Sequence, residues 1–245
     1  MPILEGKGVT KYFGGLAAVS NVDFSVEQKE AFGLIGPNGA GKTTLFNLIS
    51  AALTTKSGII KFKGENITGL KPYKICRMGI ARTFQTVKVF PDLPALSNVT
   101  LGFHFGMSPG LSSKDAVREA TELLEFVGLS ALKATPAKDL TLANQKRLEV
   151  ARALATDPEL LLLDEMMAGL NPTELAQAME LIARIRDKGI TIIMIEHVMK
   201  AIMNVCERIM VLHHGQKIAE GTPQEIATSE EVIKVYLGDK AHARS

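Results

Sequence analysis

Eight consecutive residues, Gly36-Pro37-Asn38-Gly39-Ala40-Gly41-Lys42-Thr43, fit the pattern G-x-x-x-x-G-K-[ST] at every fixed position, directly after the apolar run Ala31 to Ile35 (AFGLI). These residue types at this spacing handle phosphate. Glycines let successive backbone N–H groups curl around phosphate oxygens, and a helix starting just after them turns its positive dipole end toward the same oxygens. Lys42 would reach the β- and γ-phosphates of a nucleotide, and the Thr43 hydroxyl would ligate Mg²⁺. A chance glycine turn is the competing explanation, but a strand before and a helix after are the context that the phosphate reading requires.

A second set of residues could act on what the loop holds. Leu160 to Leu163 is an apolar run ending in two acids, Asp164 and Glu165. A buried strand delivering carboxylates at its C-terminal end is where an α/β sheet places chemistry. Asp164 would hold Mg²⁺ through its water shell, and Glu165 would polarise the attacking water. Acids follow strands by chance too, and it is the distance from the phosphate loop that gives this pair its force. Gln85, in ARTFQ, follows a strand-like stretch and can touch Mg²⁺ or the attacking water. His197, in TIIMIEHV, lies just past a buried strand, where its imidazole can meet a γ-phosphate. Taken alone, a glutamine is usually solvated and a histidine usually structural. His104, His213, His214 and His242 lack such context and receive no role.

These residues need elements to position them. Val22 to Val26, Ala31 to Ile35 and Gly58 to Phe62 read as strands, alternating or continuously apolar. A helix is expected to start within the glycine-rich loop and run through Thr44 to Ala52. From about Lys71 to Leu140 the pattern changes. Ala116, Val117, Ala120, Leu123, Leu124 and Val127 recur at helical spacing over Lys114 to Val127, with Ser113 placed to cap and Gly128 to stop the helix. A Gly/Ser/Pro-rich connector, residues 103–113, precedes it. Strand and helix then alternate: helix 144–155, strand 160–163, helix 173–188, strand 190–195, helix 199–206 and strand 209–213. That alternation predicts a largely parallel sheet covered by helices, with a helical subdomain inserted into it.

Composition narrows the function. Of 245 residues, 46% are hydrophobic and 22% charged, as in folded globular proteins. The net charge is +2, from 28 basic and 26 acidic residues, which gives no electrostatic reason to propose nucleic acid. Cys76 and Cys206 follow no metal spacing and read as small packed side chains. The N-terminal residues show no signal-peptide pattern, and no apolar run approaches the roughly 20 residues of a membrane-spanning helix. A soluble, cytoplasmic protein is expected.

Taken together, the set resembles the nucleotide-binding subunits of ABC transporters over essentially the whole chain. The Walker A loop, Gln loop, Walker B strand and His loop occur in that family's order and spacing. The family signature, usually Leu-Ser-x-Gly-Gln, aligns with Leu140-Thr141-Leu142-Ala143-Asn144, and the following Gln145 to Leu154 matches closely. Finer features are similar to the branched-chain amino-acid importer ATPases: ARTFQ, Ala168-Gly169-Leu170-Asn171-Pro172, Ile195-Glu196-His197, and the ending GTPQEI…VYLG. The lipopolysaccharide-export ATPases share the VYLG ending but not the ARTFQ context, and they are the alternative within transporters.

The resemblance implies an α/β fold: a P-loop NTPase core with a mostly parallel sheet, an N-terminal antiparallel β subdomain and an inserted helical subdomain. Residues 1–85 and 157–245 would form the RecA-like and β core, and about 86–156 the helical subdomain with the signature. It implies ATP and Mg²⁺ as cofactors, with Gly36 to Thr44 and Phe13 around the nucleotide. Phe13, beside Tyr12, would stack on adenine; ordinary packing is the other use for either ring. Glu165, His197 and Gln85 would be catalytic, and Thr43, Gln85 and Asp164 would face the metal. Such a subunit pairs head-to-tail with a second one, as homodimer or heterodimer, so that each ATP lies between one Walker A loop and the partner's Thr141 and Ala143. Separate permeases and a periplasmic solute-binding protein would complete the system, and the subunit would sit peripherally on the cytoplasmic face of the inner membrane.

Departures from the family pattern fall mainly at the signature. Ala143 stands for glycine, Thr141 for serine and Asn144 for glutamine; Met166 replaces a proline and Val198 an aspartate. Thr141 keeps a hydroxyl able to cap a helix. Ala143 adds a methyl where backbone would approach a γ-phosphate closely. Non-transport ABC ATPases carry long coiled coils or two cassettes, and this chain has neither. A P-loop kinase would explain residues 36–43 but not His197 or the run from Arg147 to Leu154.

Overall fold

The computed structural model describes residues 2–107 and 111–242. Their strands form two sheets. The first is antiparallel, with β1 (Pro2–Phe13), β2 (Leu16–Glu27), β4 (Ser57–Phe62) and β5 (Glu65–Asn66) in the order β2-β1-β4-β5. The second contains β3 (Ala31–Ile35), β6 (Ile80–Arg82), β7 (Leu160–Asp164), β8 (Thr191–Ile195), β9 (Arg208–His213) and β10 (Gln216–Gly221), in the order β10-β9-β3-β8-β7-β6. All its pairings are parallel except β9 with β10. The architecture is the expected α/β one, with an antiparallel N-terminal sheet and a mostly parallel central sheet.

The central strands read as unbroken apolar runs because both faces are covered. In β7, Leu161 and Leu163 join the core shared with the helical region, whereas Leu160 and Leu162 face the core under the antiparallel sheet. β8 divides the same way, Ile192 and Met194 against Ile193 and Ile195. Period-two alternation thus becomes a choice between two apolar cores rather than between core and water.

β1 was not anticipated as a strand. Its pairing with β2 shifts register at several points, so the two-residue alternation is interrupted. A glycine is needed inside it at Gly6, where a Cβ would lie 2.2 Å from the Phe24 ring.

Helices connect the parallel strands. α1 (Lys42–Ile49) follows β3, α2 (Pro72–Met78) precedes β6, and α3 (Ala95–Gly102), α4 (Ser113–Phe126) and α5 (Leu142–Leu154) lie between β6 and β7 and pack on one another. α6 (Pro172–Asp187), α7 (Met199–Val205), α8 (Pro223–Thr228) and α9 (Glu230–His242) follow. Two local expectations change. α1 ends at Ile49, not Ala52, because Ala51 takes a left-handed φ of 56°. The cap of α4 is Ser112 rather than Ser113: the Ser112 Oγ accepts from the Asp115 N–H at 3.2 Å. Residues 108–110 of the predicted connector lie outside the described residues.

Candidate active site

The loop from Gly36 to Gly41 joins β3 to α1 and packs against the β9–β10 turn and β2. Two glycines are required by contact. A Cβ on Gly36 would lie 2.1 Å from the Leu212 carbonyl oxygen, and one on Gly41, at φ 103°, would lie 2.3 Å from that of Ala18. The Gly215 N–H donates to the Ala40 carbonyl at 3.0 Å, tying the β9–β10 turn under the loop. Lys42 opens α1 and curls back, its Nζ donating to the carbonyls of Gly36 (2.7 Å) and Pro37 (2.9 Å). Burial lowers its pKa, while Glu165 and Asp164 oppose that shift. Thr43 is exposed beside it.

A cavity of about 440 Å³ lies over this loop. Asn38, Gly39, Ala40, Gly41, Lys42, Thr43 and Thr44 line one side. Phe13 lines another, about half exposed, with Lys11 Nζ 5.5 Å from its ring centroid. Gln85, Glu165 and His197 reach the same cavity from three separate connections. Gly36 and Pro37, at the start of the loop, do not line the cavity, and neither do Asp164, Thr141 and Ala143. Sequence reasoning missed Leu16, Ala17 and Ala18 of β2 and also His214, in the β9–β10 turn. His214 was given no role because the turn's approach to the loop is a tertiary contact that no local pattern announces.

Glu165 is the centre of the polar cluster. Its Oε2 accepts from Gln85 Nε2 at 3.0 Å and its Oε1 lies 2.9 Å from His197 Nε2. Residues 80 and 32 positions away in sequence therefore meet one carboxylate. Asp164, one residue earlier, does not line the cavity. It is 1% exposed and its Oδ2 is paired with the Arg82 guanidinium at 2.7 Å, which also donates to Asn47 Oδ1 and Ser50 Oγ of α1 and its C-terminal cap. Burial raises the Asp164 pKa and the Arg82 hydrogen bond opposes the rise. Asp164 Oδ1 is buried with no hydrogen-bond partner among the described residues.

Four further polar residues around this cluster were not foreseen in these positions: the partly buried Arg82 and the buried Lys146, Glu149 and Glu196. Glu149, on α5, accepts from the Lys88 N–H at 2.9 Å and so holds the segment after Gln85. Lys146, also on α5, donates to the carbonyls of Glu165 (3.1 Å) and Ala168 (2.6 Å). Glu196 accepts from the Met167 N–H at 2.7 Å, and burial pushes its pKa up to about 7.

At the other end of α5 the signature residues have local duties. The Thr141 hydroxyl accepts from the Asn144 N–H at 3.3 Å as N-cap. Leu142 is exposed, but Ala143 is only 7% exposed. The Ala143 methyl, expected where backbone would approach a γ-phosphate, is largely covered within this chain.

A glycine-rich loop between a parallel strand and a helix, with a carboxylate cluster at the end of a nearby strand, defines a nucleoside triphosphate site of the P-loop type. Comparison with known proteins agrees in detail. A family model described as ABC transporter matches residues 19–168, and one described as branched-chain amino acid ATP-binding cassette transporter matches residues 216–242. The chain belongs to the ATP-binding proteins of ABC transporters. It is 40% identical to the high-affinity branched-chain amino acid transport ATP-binding protein BraF of Pseudomonas aeruginosa, with 97% of this chain and 98% of that protein covered. It is 39% identical to LivG of Escherichia coli, another protein of that description, over the same shares. Among solved structures it is similar to the ADP conformation of MJ1267, an ATP-binding cassette of an ABC transporter. The TM-score there is 0.87 at 32% identity, covering 97% of this chain and 99% of that one.

Proposed function

We propose that this chain binds and hydrolyses ATP to power a branched-chain amino-acid importer, working through separate permease subunits at the cytoplasmic face of the membrane. The observation that carries this reading is the meeting of Gln85, Glu165 and His197 on one carboxylate, in the cavity over the 36–43 loop. The loop's backbone N–H groups would cradle the phosphates, and Lys42 would exchange its two carbonyl partners for phosphate oxygens. Phe13, half exposed at the cavity's edge, is available to stack on the base. Glu165 would accept a hydrogen bond from the attacking water and orient it, with Gln85 and His197 fixing its two oxygens.

Thr43, Gln85 and Asp164 are the groups that would hold Mg²⁺. They offer oxygen donors, which suit a hard cation, and Asp164 keeps one buried oxygen unpartnered for the ion or its water. When bound, the ion neutralises phosphate charge.

Residues 86–156 form the helical subdomain in this reading, and the Thr141 end of α5 would face the nucleotide of a second subunit. A related cassette, MJ0796, 26% identical with a TM-score of 0.82, is described as a dimer bound to ADP and phosphate. Among the described residues no helix is long and apolar enough to cross a membrane, and the permeases would supply that path. A periplasmic binding protein would deliver solute. The names of BraF and LivG and the match at residues 216–242 support branched-chain amino acids as cargo.

Reconstitution with its permeases in vesicles tests the reading. MgATP should drive uptake of labelled leucine, isoleucine or valine, with hydrolysis rising when a loaded binding protein is added. Hydrolysis that couples to some other solute and ignores all three would overturn the cargo assignment.

A further inference from the structure

Glu165 has a backbone conformation that its type disfavours. Its φ is 50°, in the left-handed region, where non-glycine residues are strained and persist only when the surroundings hold them. β7 ends one residue earlier, so the sheet ladder does not impose this conformation. Its own N–H donates to the Ile195 carbonyl at 2.9 Å, which fixes one side of the peptide. The other side is held by two ionisable groups that have almost no contact with solvent: Lys146 is 6% exposed and Glu196 3%.

Burying an ammonium and a carboxyl in an otherwise apolar core is expensive unless each makes specific hydrogen bonds. Both make them to the same short segment. Lys146 Nζ bridges the carbonyls of Glu165 and Ala168, at 3.1 and 2.6 Å. Glu196 Oε1 accepts from the Met167 N–H at 2.7 Å, inside the turn that Lys146 closes. Lys146 comes from the signature helix α5, and Glu196 from the residue between β8 and His197. Leucine or methionine would fill either space at lower desolvation cost, so packing alone does not account for the charged types.

We propose that Lys146 and Glu196 are positioning residues for hydrolysis, a clamp from two elements that locks residues 165–168 and so aims the Glu165 carboxylate. The proposal rests on the reading of Glu165 as the water-orienting group. The clamp adds a consequence for communication. Lys146 lies one turn beyond the Thr141 cap, so any shift of α5 relative to β7 pulls on the Glu165 carbonyl itself. Displacing a reacting group by about 1 Å can cost roughly 10²-fold in rate while leaving binding unaffected.

The test uses the assembled transporter and compares Lys146→Met and Glu196→Leu with Lys146→Arg and Glu196→Gln. The apolar variants should lower kcat by about tenfold or more with KM for ATP nearly unchanged. Arginine can still donate to two carbonyls and glutamine can still accept from Met167, so both should recover most of the lost turnover. In a Glu165→Gln background, Lys146→Met should bring no further fall, because the group to be aimed is gone. Glu165→Gln by itself tests the underlying reading: if it keeps full turnover, that reading fails whatever the clamp does. If Glu165→Gln is inactive but both apolar variants keep parental kcat, the clamp fails alone. Parallel loss of ATP affinity, absence of rescue, or failure of both apolar variants to fold would make the pair purely structural and overturn the proposal.

Discussion

The phosphate-loop end and the signature end of this chain are built on different plans. At the loop end, residues from five separate stretches of sequence, 13, 38–44, 85, 165 and 197, line one cavity. At the signature end, Thr141 caps its own helix and Ala143 is covered by its own fold, and neither reaches that cavity. One end is thus assembled within a single chain, whereas the other presents only a capped helix start to whatever lies outside. The difference teaches that departures from a family pattern weigh differently at the two ends. A change in the loop alters an intramolecular cradle; a change at Thr141 or Ala143 first alters helix α5.

The strongest way to break this comparison is at Glu165. Glu165→Gln should retain nucleotide binding and lose steady-state hydrolysis by about 10²–10⁴-fold, the usual scale for a general base. Phosphate release measured beside nucleotide titration checks both halves. Unchanged turnover would show that the cluster over the loop is not where water is activated.

A smaller effect is expected where the two ends are joined. Glu196 lies near Lys146 and Glu165 and accepts from the Met167 N–H at 2.7 Å; burial, the largest cause, moves its pKa from 4.5 to about 7. The folded state therefore keeps this proton to higher pH than the unfolded state does. Its stabilising contribution is complete below about pH 4.5 and is lost as pH rises through about 7, a loss of roughly 3 kcal/mol at most. Chemical denaturation across that window should show the parent weakening with pH more than Glu196→Gln. Equal slopes would mean that Glu196 is ionised throughout.

The smallest effect sharpens the signature end. Thr141→Ala removes an N-cap and should cost about 1 kcal/mol, a fall of roughly 2–4 °C in Tm, while nucleotide binding to the isolated chain stays unchanged. Weakened binding in the isolated chain would place Thr141 within its own chain's site and erase the contrast between the ends.

How much could be read in advance follows the same division. The 36–43 motif and the run Leu160 to Glu165 are contiguous, and contiguous residues carry their local structure with them: β3 and α1 meet at the motif, and β7 covers the expected Leu160 to Leu163 and runs one residue further, to Asp164. Gln85 and His197 were singled out because each follows a strand-like stretch closely, three residues past β6 and two past β8. β1 was missed because its bulges break the alternation, and Ser112 displaced Ser113 as a cap because adjacent serines are equivalent until backbone geometry chooses between them.

By itself the sequence determined the strand–loop–helix that handles phosphate, the acids at the end of a buried strand, the α/β class and the family. These depend on local steric and hydrogen-bonding rules acting over a few residues. Only the tertiary structure decided that Arg82 takes one oxygen of Asp164, that His214 joins the cavity, that Ala143 turns inward, and that Lys146 and Glu196 grip the backbone around Glu165. The physical reason is distance along the chain: Arg82 and Asp164 are 82 residues apart, and nothing in either neighbourhood encodes the other. Burial then turns such meetings into strong constraints, because a polar group removed from water must find its partner wherever the fold has brought one.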